Sequence, residues 1–257
     1  DRLFATLEEW GIPGVKIDFM DRSDQWMVGY YERVMKCAAR HRLFVDMHGS
    51  YTPKGLCRTY PNLLTYEGVL GMEQGARCKP ENSNWLPFIR NAVGPMDFTP
   101  GSMFSAQPED NRSTGANPMG TGTRAYQMAL YVVSESPLQM PADNPVLYRR
   151  EHLCTEFLAA VPTTWDSLRV CGREVVVARR KGDKWYVGGI TNDRSYTTEI
   201  ALDFLPAGRT FTKTSFEDGV NADLQATDYR KRVREVDAST VVKVEMVRNG
   251  GWAAVIE

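Results

Sequence analysis

Short apolar strands that end on a charged side chain recur through the first half of the chain, and they constrain its fold more than any other feature. Val15 to Phe19 carries Asp18 near its end, and Leu43 to Met47 leads into His48. An ionised carboxylate is costly to bury in an apolar run, so such side chains belong at the open carboxyl ends of parallel strands. These ends meet on one rim, where residues distant in sequence share a cleft. The polar strand-end positions are Lys16, Asp18, Asp46, His48, Glu67, Glu73 and Asp97.

Strand and helix signals alternate over residues 1–160, which predicts repeated βα units around a parallel sheet. Around five units can be counted, whereas a closed (β/α)8 barrel contains eight in roughly 250 residues. We therefore predict an α/β fold in which residues 1–160 form a partial TIM-type barrel without its front strands. Asp21 or Ser23 is available as the N-cap of the first long helix. The predicted apolar or strand runs are 15–19, 43–47, 68–72, 92–97 and 138–140, and the predicted helices are 24–41, 123–134 and 146–158.

Beyond Pro162, short strands follow one another without an intervening helix, separated by Gly, Asp and Asn turns. This pattern is typical of an antiparallel β-sandwich, so residues 161–257 are predicted to form an accessory domain. Its carboxylates, such as Glu217 and Asp218, fall in predicted turns, so a packing role is favoured over sugar binding. The predicted strands are 174–178, 185–190, 198–202, 210–216, 241–246 and 252–256.

Charge and composition argue against several kinds of partner. The 31 Lys and Arg residues balance the 32 Asp and Glu residues without a basic run, which disfavours nucleic acid and anionic membrane. No apolar stretch approaches the roughly 20 residues that span a bilayer. The five cysteines are far apart, which predicts isolated buried thiols. The chain begins at Asp1 within a helical pattern, so we expect a piece of a longer polypeptide whose upstream half is missing.

Two carboxyl groups across one pocket are the minimum equipment for glycoside hydrolysis, and Asp18 and Glu73 are candidates for this pair. Each polar residue also has a structural interpretation. Asp18 suits a helix cap or a loop hydrogen bond, His48 is as easily a structural hydrogen bonder as a ligand contact, and Lys16 suits a paired surface charge. The pattern alone indicates a pocket and leaves the reaction open. The aromatic residues available to stack on sugars are Phe19, Tyr51, Tyr60, Tyr66 and Trp85.

Longer motifs in the chain resemble those of glycoside hydrolase family 97, and the resemblance covers essentially the whole sequence. The first of them carries Asp18, and the third runs through Glu67 and Glu73. The matching segments are GVKIDFMDR at 14–22, VDMHG at 45–49, RTYPNLLTYEGVLGME at 58–73, VGPMDFTPG at 93–101, ESPLQM at 135–140, TTWD at 163–166, WYVGG at 185–189 and GGW at 250–252.

This resemblance implies an enzyme with an N-terminal β-supersandwich, a central (β/α)8 barrel and a C-terminal sandwich. The present chain resembles the second half of the barrel and the third domain. The family contains inverting α-glucosidases and retaining α-galactosidases. Asp18 matches the nucleophile of the retaining members, Glu73 matches the acid/base, and the segment His48-Gly49-Ser50 lacks the base glutamate of the inverting members. The resemblance thus implies a retaining α-galactosidase that acts on non-reducing-end α-galactosides through a glycosyl-enzyme.

The resemblance also implies a calcium ion held in part by Glu67 and Glu73. Calcium takes about 6 to 8 oxygen ligands, so two glutamates do not complete the site, and a further glutamate comes from the family's N-terminal domain. Lys16 and His48 fall at substrate-contact positions, and Lys16 is expected to favour the ionised form of Asp18. The relatives imply a periplasmic or exported location.

Two alternative functions stay open at this point. The first is an α-glucosidase of the same family, which the missing glutamate disfavours. The second is an inactive carbohydrate-binding or structural remnant, because an open half-barrel exposes a parallel edge and an incomplete pocket.

Overall fold

A three-stranded parallel sheet organises the first part of the molecule; the computed structural model describes residues 1–171 and 175–257. Its strands, adjacent in chain order, are β1 (Gly14–Ile17), β2 (Phe44–Met47) and β3 (Leu63–Tyr66). A single parallel bridge joins Tyr66 to Met96, so the predicted run at 92–97 extends the sheet by one residue only. The register places Lys16 of β1 opposite Asp46 of β2. Because the pairing is parallel, the carboxyl ends of these segments lie at the same edge.

Two helices pack on this sheet through apolar side chains that include Tyr31 and Met35, both fully buried. They are α1 (Arg2–Glu9) and α2 (Gln25–Arg40). The N-cap of α2 is Asp24, whose carboxylate accepts a 3.0 Å hydrogen bond from the Met27 N–H, so the predicted caps, Asp21 and Ser23, are wrong. Among the described residues, no helix combines the length and apolar character needed to cross a bilayer.

Loops and short helices replace several strands predicted between residues 68 and 140. Gly68 takes a left-handed φ of 46°, and residues 138–140 are irregular, so neither run forms a strand. The helix predicted at 146–158 is broken at Glu151, whose φ and ψ of −100° and 48° are not helical. Short apolar runs do not distinguish strands from other buried segments. The elements here are α3 (Leu56–Thr59), α4 (Pro80–Ser83), α5 (Leu86–Ile89), β4 (Ser105–Ala106), β5 (Gly120–Thr121), α6 (Arg124–Val133), α7 (Pro145–Arg150) and α8 (His152–Ala160), with 3-10 helices at Met72–Arg77 and Asn91–Val93.

Two antiparallel sheets form the rest of the chain, in agreement with the predicted strand-rich pattern. The larger sheet has six strands in the order β11-β10-β13-β8-β7-β6, and β9 pairs with β12 separately. The sequence missed β6 and β11, which are the two edges; β11 reads YRKRVREV, and its charges hide the alternation. Glu174 of the predicted strand 174–178 lies outside the described residues. The strands are β6 (Ser167–Val170), β7 (Val175–Lys181), β8 (Lys184–Ile190), β9 (Tyr196–Ala201), β10 (Phe211–Asp218), β11 (Tyr229–Val236), β12 (Val241–Met246) and β13 (Gly251–Ile256).

The six-stranded sheet is covered on both faces. On one face, Trp252 and Val187 share a core with Ile200 of β9 and Val244 of β12. On the other face lies helix α6, every residue of which is buried. The backbones come so close that a Cβ at Gly188 would lie 2.9 Å from the Ala129 carbonyl oxygen. Helix α6 therefore ties the parallel part of the molecule to the antiparallel part.

The N-terminus of α6 is fixed to the six-stranded sheet by the buried carboxylate of Asp218 at the end of β10. Its Oδ1 accepts a 2.6 Å hydrogen bond from the Thr123 hydroxyl, and Thr123 is itself the N-cap of α6. Its Oδ2 accepts hydrogen bonds from the Val247 and Gly251 N–H groups at 3.0 and 3.2 Å. Burial raises the pKa of Asp218 to about 7, and these hydrogen bonds oppose that rise.

Asp218→Ala is expected to lower the free energy of unfolding by about 3 kcal/mol. The reason is that the Thr123 hydroxyl and the Val247 and Gly251 N–H groups lose the carboxylate that accepts their hydrogen bonds. Chemical denaturation would measure this loss against Asp223→Ala, which removes an exposed carboxylate from the turn after β10. Equal stability of the two variants would show that Asp218 does not stabilise the contact between α6 and the six-stranded sheet.

Candidate active site

Charged side chains from the ends of the parallel strands meet around Asp97. Lys16 Nζ lies 2.6 Å from Asp97 Oδ2 and 3.9 Å from Asp46 Oδ2. Both carboxyl groups are fully buried, whereas the Lys16 side chain remains 25% exposed. A buried carboxylate needs a cation or hydrogen-bond donors, so Lys16 supplies the charge that Asp97 requires.

His48 links this buried pair to the two glutamates. Its Nδ1 lies 2.7 Å from Asp97 Oδ2, and its Nε2 lies 2.7 Å from Glu73 Oε1 and 3.3 Å from Glu67 Oε1. The imidazole is buried between three carboxyl groups, and both ring nitrogens face an acceptor. A doubly protonated ring satisfies both contacts at once.

The pKa shifts follow from this arrangement. Burial and the neighbouring Asp97 carboxylate raise the pKa of Asp46 well above its usual range. Burial acts to raise the pKa of Asp97 as well, but the contacts of Asp97 with His48 and Lys16 outweigh it and lower that pKa. Burial acts to lower the pKa of His48, yet its bonds to Asp97 and Glu73 raise it to about 10. These shifts favour an imidazolium between the ionised carboxylates of Asp97 and Glu73, and they favour the protonated form of Asp46.

The two glutamates are held in place by the backbone of neighbouring loops. Glu67 Oε2 accepts a 2.9 Å hydrogen bond from the Gly49 N–H, and the Glu73 N–H donates to Thr99 Oγ1 at 3.0 Å. The hydrogen bond to His48 lowers the pKa of Glu73, whereas burial raises the pKa of Glu67. The Glu73 side chain stays 39% exposed, and a cavity of about 320 Å³ opens beside Glu67 and Gly49. The two glutamates thus have pKa values shifted in opposite directions, and open space lies beside them.

Asp18 lies on the same rim, exposed, in a strained turn after β1. Its Oδ1 accepts a 2.6 Å hydrogen bond from the Phe19 N–H, and Phe19 has a φ of 62°. A Cβ at Gly49 would lie 2.8 Å from Asp18 Oδ1, so this carboxylate sits directly over the Gly49 backbone. The negative charges of Asp18 and Glu73 both raise the pKa of Glu67. Asp18 and Glu67 both lie against the Gly49 backbone, and Glu67 and Glu73 both lie beside His48, so the three carboxylates lie on one rim.

Two details of the predicted site are wrong. Lys16 was expected to stabilise the charge of Asp18, but among the described residues its ion pairs are with Asp97 and Asp46. One of the predicted sugar-stacking residues, Tyr66, packs in the core instead and is 1% exposed. Tyr51 lies against it, with ring centroids 5.8 Å apart, and borders the cavity beside Glu67. Lys16 pairs with Asp97 and Asp46 because these buried carboxyl groups depend on a cation, whereas Asp18 is exposed to water.

Sequence reasoning placed Asp46 and Asp97 at strand ends without giving either a role, and it missed Arg90 completely. Arg90 is 4% exposed, and its guanidinium donates to the carbonyl oxygens of Tyr66, Glu67, Gly94 and Pro95 at 2.9 to 3.2 Å. These carbonyls belong to the end of β3 and to the segment before Asp97. Arg90 thus fixes the spacing between Glu67 and Asp97, a role that only the folded chain reveals.

Arg90→Met is expected to destabilise the protein by about 3 kcal/mol, since four buried carbonyls lose a charged donor. We also expect a lower kcat, because Glu67 and Asp97 lose their common support. Arg90→Lys is the matched control: it keeps the charge, but an ammonium cannot reproduce the planar guanidinium fork, so it should recover only part of both losses. Denaturation curves measure the loss of stability, and steady-state kinetics measure the loss of kcat. If Arg90→Lys matched the unchanged protein in both, the planar guanidinium would not be needed at this position.

A cleft lined by carboxylates at the ends of parallel strands is the type of site found in glycoside hydrolases of α/β architecture. The comparisons with known proteins agree with this class. The family profile described as "Glycoside hydrolase 97" matches residues 1–69, and the profile described as "Glycosyl-hydrolase 97 C-terminal, oligomerisation" matches residues 164–257. Together they match more than half of the chain. The chain belongs to glycoside hydrolase family 97, as its motifs predicted.

Two curated proteins and one solved structure are similar to this chain over nearly its whole length. The chain is 42% identical to "Retaining alpha-galactosidase" of Bacteroides thetaiotaomicron, over 97% of this chain and 39% of the relative. It is 35% identical to "Probable retaining alpha-galactosidase" of Streptomyces bingchenggensis, over 99% of this chain and 38% of the relative. A family 97 enzyme from Pseudoalteromonas sp. strain K8, solved in complex with acarbose, superposes with a TM-score of 0.87 at 32% identity, covering 100% of this chain and 44% of that one. The chain spans about two fifths of the length of these curated relatives.

Proposed function

We propose that the chain carries the catalytic carboxylates of a retaining, exo-acting α-glycoside hydrolase, an α-galactosidase that works by double displacement. The observation that carries this proposal is the placement of Asp18, Glu67 and Glu73 around Gly49 and His48, in a chain that is 42% identical to a retaining α-galactosidase. The substrate class is an α-galactoside oligosaccharide cleaved at its non-reducing end.

In the first step, Asp18 attacks the anomeric carbon while Glu73 protonates the departing oxygen. The Phe19 N–H occupies Asp18 Oδ1, which leaves Oδ2 as the attacking atom. Glu73 needs a proton for this step, although His48 lowers its pKa in the free enzyme. Substrate that covers the exposed part of Glu73 excludes water, and the nearby negative charge of Asp18 disfavours a second anion, so both effects raise that pKa.

In the second step, Glu73 deprotonates the water that attacks the glycosyl-enzyme. Esterification of Asp18 removes its negative charge, so the pKa of Glu73 falls again just when a base is required. The His48 imidazolium donates to Glu73 Oε1 throughout and leaves Oε2 free to exchange the proton. His48 and Lys16, both anchored on Asp97, are proposed to contact the sugar hydroxyls.

The backbone at Gly49 supports retention over inversion. Gly49 has a φ of 55°, and a Cβ there would lie 2.7 Å from the Phe19 nitrogen as well as 2.8 Å from Asp18 Oδ1. Any side chain at position 49 of the segment 48–50, in which inverting members carry their base glutamate, is therefore incompatible with an Asp18 held as it is here.

Gly49→Ala is expected to lower kcat/KM by about 100-fold, because a displaced Asp18 no longer reaches its attack position. Gly11→Ala is the matched control: Gly11 has a φ of 72°, but a Cβ added there would meet no atom within 4 Å, so it reports backbone strain alone. Kinetics on an aryl α-galactoside, with melting temperatures of both variants, separate the two effects. Similar activities for the two would contradict the steric argument.

The two glutamates fit a calcium site, which we propose as part of this function. Ligand atoms of Glu67, Glu73 and His48 lie within 4.8 Å of one another. Calcium prefers oxygen, so Glu67 and Glu73 are its ligands in this proposal and His48 remains a hydrogen-bond donor beside them. A bound calcium ion would supply positive charge that orients sugar hydroxyls and favours the ionised form of Glu67. Further ligands are proposed to come from the upstream part of the enzyme.

The same proposal covers the larger architecture. Residues 1–160 are proposed to be the second half of a (β/α)8 catalytic barrel and residues 161–257 a β-sandwich domain, with an upstream half of the same enzyme that completes the barrel. A periplasmic or exported location follows from the resemblance to family members.

The test is to incubate the full-length enzyme with aryl α-galactoside and aryl α-glucoside and to follow the first-formed anomer by NMR. Hydrolysis of the galactoside with retention is the expected result. Cleavage of the glucoside alone would favour the α-glucosidase alternative, and an inverted first product would refute the nucleophilic role of Asp18.

A further inference from the structure

A second polar cavity, of about 440 Å³, lies in the antiparallel part of the molecule beside β10, β11 and β12. Two cross-strand pairs of β10 and β11 border it, Lys213 with Arg234 and Glu217 with Arg230, together with Arg232, which stands opposite Ser215. Directly paired residues project to the same face of a sheet, so four cations and one carboxylate of these strands share one face. The lining also contains Glu235 and the mutually paired Lys243 and Glu245, so cations remain in excess around the cavity.

Lys213 is the unusual member of this group because it is only 4% exposed. Its ammonium lies 5.3 Å from the centroid of the Trp252 ring and donates to Ser215 Oγ at 3.3 Å. Within residues 1–171 and 175–257, no carboxylate oxygen lies within 4.0 Å of it. Burial lowers the pKa of this ammonium, the neighbouring Arg234 and Arg232 lower it further, and one carboxylate acts in the opposite direction.

The nearest carboxylate, Glu217, is already engaged by other groups. It accepts a 2.8 Å hydrogen bond from Ser215 Oγ, and its Oε2 lies 3.2 Å from Arg232 Nε. Lys213 and Arg234 stand directly opposite each other in the sheet. Among the described residues, neither of them forms an ion pair with a carboxylate. Like charges in directly opposed positions destabilise a sheet, and a buried unpaired ammonium adds a desolvation cost.

Protection of an edge strand explains only part of this pattern. Exposed cations on β11 discourage edge-to-edge association, which accounts for Arg230 and Arg234. Lys213 lies on β10, an inner strand that pairs on both sides, so it has no edge to protect. A buried cation on an inner strand, aimed toward a cavity that arginines border, requires another reason.

We infer that this cavity binds a divalent tetrahedral oxyanion, sulfate or phosphate, either free or carried on a saccharide. Guanidinium groups bind such anions through paired N–H donors, and Lys213 adds a point charge from the floor of the cavity. Trp252 is 2% exposed, so it offers no open ring for a sugar to stack on, and recognition is of the anionic group itself. The site is independent of the carboxylate cleft.

Isothermal titration with inorganic sulfate, at constant ionic strength in chloride, tests this inference on the whole protein. We expect saturable binding that Lys213→Met and Arg234→Gln each weaken by about tenfold or more, the effect of a lost charged hydrogen bond. Lys231→Met is the matched control, since Lys231 is exposed on β11 and contacts the Phe216 ring on the other face of the sheet. Lys213→Met should also raise the melting temperature without anion, because it removes a buried unpaired charge.

A parallel titration with galactose 6-sulfate distinguishes the two sources of the anion. Affinity well above that of sulfate indicates a saccharide carrier, and equal affinity indicates the free ion; both support the site. Sulfate binding that is absent, or that survives unchanged in both Lys213→Met and Arg234→Gln, would overturn it. Arg234 is exposed, so its variant keeps the test decisive if Lys213→Met folds poorly.

Discussion

Asp18→Ala is expected to reduce kcat on an aryl α-galactoside by on the order of 10⁴-fold, because the enzyme loses its nucleophile. Azide should restore part of the rate, since the vacated space beside Gly49 admits a small anion that attacks from the same side. The product of rescue is then a glycosyl azide whose anomeric configuration is opposite to that of the substrate. Steady-state rates with and without azide, together with NMR of the product, measure both effects.

The matched pair for this experiment is Asp18→Asn and Asp21→Asn. Asp21 lies three residues further along, is exposed, and has a φ of 46° that asparagine tolerates. Only the change at position 18 should abolish turnover. Substantial activity in Asp18→Asn, or rescue that yields an azide of unchanged configuration, would remove Asp18 from the nucleophilic role.

Glu73→Gln is expected to lower kcat by on the order of 10³-fold for substrates with poor leaving groups and far less for activated aryl glycosides, which need little protonation. The amide also removes a carboxylate ligand and one of the three anionic partners of His48, so calcium affinity should fall as well. A series of aryl α-galactosides and calcium titration measure the two effects. Glu81→Gln, at an exposed glutamate in α4, is the control.

An equal loss of rate across all leaving groups would contradict the acid/base role of Glu73. Unchanged calcium affinity would contradict its role as a ligand while leaving the proton transfer intact. The two readouts therefore separate functions that meet in one side chain.

The convergence of the catalytic candidates was predictable because it depends on strand direction alone. Asp18, His48 and Glu67 follow apolar runs whose parallel pairing brings their ends together. The pairing of Lys16 was not predictable in the same way, because the choice between Asp18 and Asp97 depends on depth: Asp97 is fully buried, whereas Asp18 reaches solvent. A cation goes to the carboxylate that water cannot stabilise.

The remaining differences between prediction and structure have local causes. The sequence did not predict strand β11, because an edge strand needs no apolar alternation and the many charged residues of β11 are typical of a loop. Arg90 escaped because its partners are main-chain carbonyl groups, which every residue possesses and no sequence motif marks. The segment from 68 to 121 turns through short helices that tertiary contacts stabilise, so local periodicity carries little information there.

The position of α6 against the six-stranded sheet has a consequence for anyone who shortens this enzyme. Deleting the antiparallel region would expose the apolar side chains of α6 that pack on the sheet, such as Val132 and Val133, and release Thr123 from its acceptor on β10. Truncated forms should therefore aggregate rather than fold, and heating the intact protein should melt both regions in a single cooperative transition.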